Sequence, residues 1–401
     1  MVQAEQPKKT REKLIMSVHS AWEDAGSERI SVRTIAGRAG LPISSVHYHF
    51  GDLGRLLQTA QEDAMAAAAH WCAVQLDAIK PGAHGARAIG PLLAVLIDDW
   101  CENQRQLAFA WRECELSALR DRGNIELYGR WHALWMDFWR EICGRLGLAD
   151  VAAPTAWLFD GASCVHLLRW RRAVDHAGLI EQCTGWARWL EGELADPAPW
   201  FEFARGEAAS MIPPPPPSDD TAIRVAEAAA QIIAENGVTA LTHRAVAAKA
   251  GLTLGVVSYK FRTSADLLQA AFEAIYRRST PETDQEMEQN PAFAREAAQT
   301  VLDRNFPVRA DLLASHELIV AAARDATYQA FSVKLRYQRG RSGMRFLRAF
   351  LGPDRPIAAM DAAIFSALLA GRGRAYRCRD QQFGPASLSN DLAPLFARMG
   401  L

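Results

Sequence analysis

The chain carries almost no net charge: 45 Lys and Arg face 46 Asp and Glu over 401 residues. That balance excludes a protein that holds nucleic acid through bulk positive charge, and leaves room only for a local basic face. No apolar run approaches the roughly 18 residues that a membrane-spanning helix needs. The opening MVQAEQPKKTREK has no apolar segment of the kind a secretory signal requires. A cytoplasmic protein without a membrane partner is expected. The seven cysteines (Cys72, Cys101, Cys114, Cys143, Cys164, Cys183 and Cys378) are odd in number and include no C-x-x-C pair. They read as reduced thiols, not as a disulfide framework or a zinc site, so no metal is expected. Alternating Val/Ile/Thr runs do not recur. There is no Gly-rich phosphate loop, paired-carboxylate arrangement or nucleophile–base–orienter set, so neither an enzyme nor a cofactor is expected.

What fills the chain is Ala, Leu, Arg and Glu at helical spacing, with 49% apolar residues, enough for a full core. The fold class expected is all-α. Pro213 to Pro217 interrupt the chain near its middle, where no helix can continue, and are read as a spacer. On either side lies a repeat. Shifted by 211 residues, Ser31–Ala60 lies over Thr242–Ala271 without a gap, with twelve identities in thirty positions, among them Gly40/Gly251, Val46/Val257, Tyr48/Tyr259 and Phe50/Phe261. The register carries back to Thr10 over Thr221 and Gly26 over Gly237. Downstream, Glu113, Arg120 and Asp121 recur at the same spacing as Glu317, Arg324 and Asp325. Seven residues are two helical turns, so Glu and Arg share a face. The set reads as an interhelical ion-pair and capping group, with a ligand role as the alternative.

Within the repeated unit, Leu14, Ile15, Val18, Trp22 and Ala25 form an apolar stripe closed by Gly26. Ser31 is placed to cap a short helix over Val32–Arg38, Ala39-Gly40-Leu41 makes a tight turn, and a further helix is expected over about Pro42–His49. Two short helices joined by a glycine turn describe a helix-turn-helix. In the second copy Thr242 and Thr253 take the capping positions, and Thr263 with Asp266 forms a capping-box-like pair.

IAGRAGLPISSVHYHFGDLGRLL and VAAKAGLTLGVVSYKFRTSADLL both resemble the DNA-binding signature of the tetracycline-repressor (TetR) family. The resemblance covers about fifty residues of each half. Leu53 and Ser264 stand where the family usually has a Lys early in the fourth helix, and Pro42 replaces its usual capping Ser. The resemblance implies a double-stranded DNA operator as partner. Arg33, Arg244, Tyr48, Tyr259, His49 and Lys260 would then position phosphates. Ile43, Ser44 and His47, with Leu254, Gly255 and Ser258 behind Thr253, would face base edges. Tyr48 and Tyr259 have core packing as their other reading. Arg29, Arg33, Arg38 and Arg55 against Asp52, and Arg244, Lys249, Lys260 and Arg262 against no acid, supply local positive charge in the two stretches.

The expected organisation is a helix-turn-helix domain (1–60), a helical effector-binding and pairing domain (61–205), a Pro-rich linker (206–220), a second helix-turn-helix domain (221–271) and a second helical domain (272–401). Members of the family pair through their last two helices, here about Pro154–Asp175 with Leu179–Leu194 and Ile357–Cys378 with Ala386–Met399. Small residues in SALLAGRGRAY favour close approach. With both copies in one chain, an intramolecular pseudodimer that is monomeric in solution is expected. All twelve tryptophans lie between Trp22 and Trp200. Trp131, Trp135, Phe138 and Trp139 form a stripe that reads either as core or as the wall of a small-molecule effector pocket with Trp111, His132 and His166. The expected function is a transcriptional regulator, a repressor released by an apolar or aromatic effector. The rival is a small-molecule-binding or scaffolding protein whose helix-turn-helix units have degenerated. Since the recognition helices differ, the operator is expected to be non-palindromic.

Overall fold

The computed structural model describes residues 2–82, 85–120, 124–211, 219–279, 309–338, 340–352, 354–377 and 388–400. Among these are nineteen α-helices and no strand, so the protein is all-α. No helix among the described residues is long and apolar enough to cross a membrane.

The first half opens with α1 (Val2–Asp24), α2 (Val32–Ala39), α3 (Ser44–Phe50) and α4 (Leu53–Ala78). The second opens in the same order with α11 (Asp220–Asn236), α12 (His243–Ala250), α13 (Leu254–Lys260) and α14 (Ser264–Ser279). Between them run α5 (Gly85–Glu102), α6 (Arg105–Arg120), α7 (Ile125–Arg145), α8 (Ala152–His166), α9 (Arg172–Leu190) and α10 (Pro199–Ser210). The second half continues with α15 (Arg309–Arg324), α16 (Gln329–Tyr337), α17 (Arg341–Leu351), α18 (Ala359–Arg377) and α19 (Leu388–Arg398).

Local chemistry explains the matching turns. Ser31 accepts the Thr34 N–H at 3.1 Å, while Thr34 Oγ1 accepts the Ser31 N–H at 2.8 Å. Thr242 accepts the Ala245 N–H at 3.1 Å. Gly40 and Gly251 both adopt the left-handed conformation, with φ of 65° and 63°. The following N–H groups of Leu41 and Leu252 then reach back to the Ala36 and Ala247 carbonyls, each at 2.9 Å, closing both helices in the same Schellman turn. Thr263 and Asp266 cap each other reciprocally at 2.8 and 3.1 Å.

The halves are joined along α8 and α18. A Cβ at Gly161 would collide with the Ala367 carbonyl, and one at Gly371 with the Trp157 carbonyl. Only glycine permits this reciprocal backbone approach, and Ala367 and Gly371 both lie in the small-residue stretch. The apolar core does not divide at mid-chain. One cluster joins the first half to Leu347, Met360, Phe365, Leu392 and Met399. A second is built on α11–α14 and takes in Cys164 and Leu168 of the first half. The six described cysteines are buried and unpaired; Cys378 lies outside the described residues.

Three boundaries differ from expectation. α3 begins at Ser44, not Pro42: the Ser45 and Val46 N–H groups bond Pro42 O and Ile43 O in a tighter first turn. The expected helix over Pro154–Asp175 ends at His166, because the Asp175 carboxylate accepts the Trp170 N–H at 2.8 Å and fixes a turn there, and α9 then ends at Leu190. The first residues of the expected linker are helical. Phe201, Ala204 and Ala208 bury one face of α10, which packs on α9 and α16. Pro213–Pro217 lie outside the described residues.

Candidate functional site

The two short helix pairs hold their inner side chains alike. Val46 and Val257 are fully buried, and Phe50 and Phe261 nearly so. An ion pair ties the second helix of each unit to the first: Arg38 to Asp24 at 2.7 Å, and Lys249 to Glu235 at 2.8 Å. With the inner face pinned, the outer face of the third helix is presented to solvent. Tyr48 is 82% exposed and Tyr259 81%, which removes the core reading of both. Arg33, Ile43, Ser44 and His47 are exposed, as are Arg244, Thr253, Leu254, Gly255 and Ser258. His49 and Lys260 are half-buried. His47 donates Nδ1–H to the Gly51 carbonyl at 3.0 Å, which leaves Nε2 at the surface. Lys260 is ion-paired with Asp219, a contact that the charge count within 241–263 does not reach.

The recurring Glu/Arg set is an ion-pair set, and it crosses between the halves. Glu113 of α6 pairs with Arg324 of α15, and Arg120 of α6 with Glu317 of α15. This is the reciprocal pattern of an isologous interface. The Arg324 Nε–H also reaches the Trp22 carbonyl at 2.8 Å, at the end of α1, and Glu113 accepts the Ser27 N–H at 3.1 Å. Burial alone would raise the Glu113 carboxyl, but Arg324 and the Ser27 hydrogen bonds outweigh it and hold it below the usual range. The first helix-turn-helix unit is thus fastened by its own α6 and by α15 of the other half. A cleft of about 350 Å³ lies here, lined by Ser27, Arg29, Glu113, Arg120, Glu317 and Arg324 among others. Asp121 lies outside the described residues.

Deeper in the same junction, α6, α8, α15 and α18 enclose a polar network that no spacing in the sequence announces. Arg374 Nε lies 2.9 Å from Glu115 and 3.1 Å from Asp160; Arg112 pairs with both carboxylates and donates to Ser163 at 2.9 Å. His316 Nε2 is 2.8 Å from Glu115, and its Nδ1 is 3.7 Å from Cys164 Sγ. Burial would lower the His316 imidazole, but Glu115 and Cys164 drive it up to about 9. Burial would raise the Cys164 thiol, but Arg112 and His316 bring it down to about 7.

Of the residues expected at an effector site, the structure brings the tryptophans together. Ring centroids lie 4.9 Å apart for Trp111–Trp135 and 6.3 Å for Trp111–Trp131, and Phe159 touches Trp135 and Trp139 at 4.9 and 5.3 Å. Trp71, Trp100 and Phe138 complete the cluster. Trp131 Nε1–H donates to Gln61 at 3.2 Å. The buried indole N–H groups of Trp100, Trp111, Trp135 and Trp139 meet no acceptor. His132 is half-buried on the same helix as Trp131. His166 serves elsewhere: it bridges the halves, donating Nε2–H to Asp98 at 2.9 Å and accepting from Arg336 at 2.5 Å on Nδ1. Burial, then Arg336, lowers its imidazole to about 4. Among the described residues there is no group of three His, Cys, Asp or Glu placed to hold a metal ion.

Residues 225–271, which span α11 to the middle of α14, match the profile of the bacterial regulatory proteins of the tetR family. That match supports reading the chain as a DNA-binding regulator. No curated protein matches the chain.

Proposed function

We propose that this protein is a transcriptional repressor that grips one duplex operator with α3 and α13 together, as a pseudodimer within a single chain, and lets go when a small apolar or aromatic effector binds. The observation that carries the reading is the pair of outward faces, Tyr48 and Tyr259 both more than four-fifths exposed on backbones closed by the same glycine turn. An aromatic ring left in water on an otherwise ordered helix is a poor choice for stability alone and a good one for contact with a sugar–phosphate edge.

The aromatic cluster around Trp111 is the proposed effector site. A buried N–H without an acceptor costs about 1–3 kcal/mol. Four such donors lie around this cluster, beside two elsewhere at Trp157 and Trp186, and a flat, apolar ligand carrying hydrogen-bond acceptors would satisfy them. Helix α6 supplies the link. It carries Trp111 in the cluster, Glu113 at the foot of the first helix-turn-helix unit, and Arg120 at the other half. A ligand that wedges against Trp111 favours a state with α6 displaced, which resets the spacing of α3 and α13 and lowers DNA affinity.

The test is fluorescence anisotropy with duplexes taken from upstream of the protein's own coding sequence. Binding preferred over scrambled duplex is expected, and a Tyr48→Ala, Tyr259→Ala variant should lose about a hundredfold or more while melting at the same temperature. Equal binding to scrambled duplex would overturn the reading and leave a scaffolding or small-molecule-binding protein. Light scattering should give the mass of one chain.

A further inference from the structure

We propose that the operator is non-palindromic and is bound in one orientation, with the half-site under α3 carrying most of the affinity and the half-site under α13 held back by Asp219. This rests on the DNA-binding reading above and specifies its ligand.

The two units share a backbone but not a charge. In the shared register Lys8, Lys9 and Arg11 stand where the second copy has Asp219, Asp220 and Ala222. Over Lys8–Arg55 eight Lys and Arg face five Asp and Glu; over the equivalent Asp219–Asp266 five face five. Of these, Arg11 and Asp219 lie beside the recognition helices. The Arg11 guanidinium sits 5.5 Å from the centre of the Phe50 ring, at the end of α3. In the other unit Ala222 stands at the position of Arg11, and Asp219, at the position of Lys8, holds Lys260 at the end of α13 with its carboxylate. One unit therefore brings the Arg11 cation to the end of its recognition helix, where phosphates flank it. The other has its terminal cation already neutralised and adds a carboxylate that repels phosphate.

The reading faces differ in the same sense. Ser44 offers a hydrogen-bonding group where Gly255 has none, and the outward Nε2 of His47 stands where α13 has the shorter hydroxyl of Ser258. Beside Gly255 the exposed groups are Leu254 and Val256, 46% and 38% accessible. Aliphatic side chains in a major groove contact thymine methyl groups and reject little else. The half-site under α13 should be thymine-bearing and loosely specified, that under α3 sharply specified.

Selection of the full chain against a random duplex library tests this. The expected result is an asymmetric consensus with more information in one half, and Ser44→Ala, His47→Ala should relax that half alone. Asp219→Asn keeps an N-cap for α11 while releasing Lys260. It should tighten binding by about three- to tenfold at 0.1 M salt, with the slope of log K against log salt steeper by about 0.9. A symmetric consensus would overturn the proposal while leaving DNA binding intact. Unchanged or weaker binding by Asp219→Asn would overturn the role of Asp219. If no duplex is enriched, the DNA-binding reading itself fails, and this inference with it.

Discussion

The two helix-turn-helix units agree in almost every feature that shapes the backbone and disagree in those that meet a partner. Capped α2 and α12, the left-handed Gly40 and Gly251, buried Val46 and Val257, and the Arg38–Asp24 and Lys249–Glu235 pairs are one design used twice. Lys8 against Asp219, His47 against Ser258 and Ser44 against Gly255 are not. Burial constrains Val46 and Val257, and backbone geometry constrains the exposed caps and left-handed glycines, whereas the exposed faces of α3 and α13 are free to diverge. The helices behind repeat the contrast: α6 and α15 exchange matching Glu–Arg pairs, yet all the tryptophans, and so the cluster around Trp111, belong to the first half.

The largest expected effect tests the reciprocity at its tightest point. Gly161→Ala and Gly371→Ala each drive a methyl group into a backbone carbonyl across the α8–α18 crossing, and neither carbonyl can swing aside as a side chain would. Each should cost at least about 3 kcal/mol, read as a lower urea midpoint. Losses that differ by more than about 1 kcal/mol would break the equivalence of the two sides.

The reciprocal ion pairs come next, and their surroundings are unequal. The Arg324 side chain is 11% exposed and that of Arg120 27%. Arg324→Ala strands a buried Glu113 and uncaps Trp22, so about 3 kcal/mol is expected; Arg120→Ala should cost about half as much. Equal losses would mean that burial is not what separates them.

Acid should loosen the junction where it is not reciprocal, at His166. Its imidazole titrates near 4 in the folded protein against 6.5 unperturbed, so between those values the unfolded chain binds more protons. The stability this group contributes is complete above pH 6.5 and is lost as pH falls toward 4. The loss should be on the order of 2 kcal/mol. The melting temperature of the wild type should fall between pH 6.5 and 4.5 more steeply than that of His166→Gln. Parallel profiles would assign the acid sensitivity to other groups.

The smallest effect separates the recognition helices themselves. Thr253 caps α13 with its side chain, whereas Ile43 gives α3 no such bond. Thr253→Val should cost about 0.5–1 kcal/mol and raise hydrogen exchange in α13. No change in exchange would show that the two helices are held equally well without a cap.

The sequence alone determined what depends on near neighbours. Helix type, the caps at Ser31, Thr242 and Thr253 and the glycine turns follow from residues within one or two turns of each other, where steric limits and local hydrogen bonds act, and the duplicated register follows from comparing the two halves of the chain. It also carried the Glu/Arg recurrence and the small residues of the 366–376 stretch, though not the partner that either one meets. Only the tertiary structure decided that Glu113 reaches Arg324 and not an acid or base of its own half, and that Gly161 lies against Ala367. It alone decided that Asp219 neutralises Lys260, and that His166 bridges the halves instead of joining the tryptophans. These are contacts between residues tens to hundreds of positions apart. Their choice rests on which helix faces can be brought together without a clash or an unpaired buried charge, and a linear pattern holds no record of that comparison.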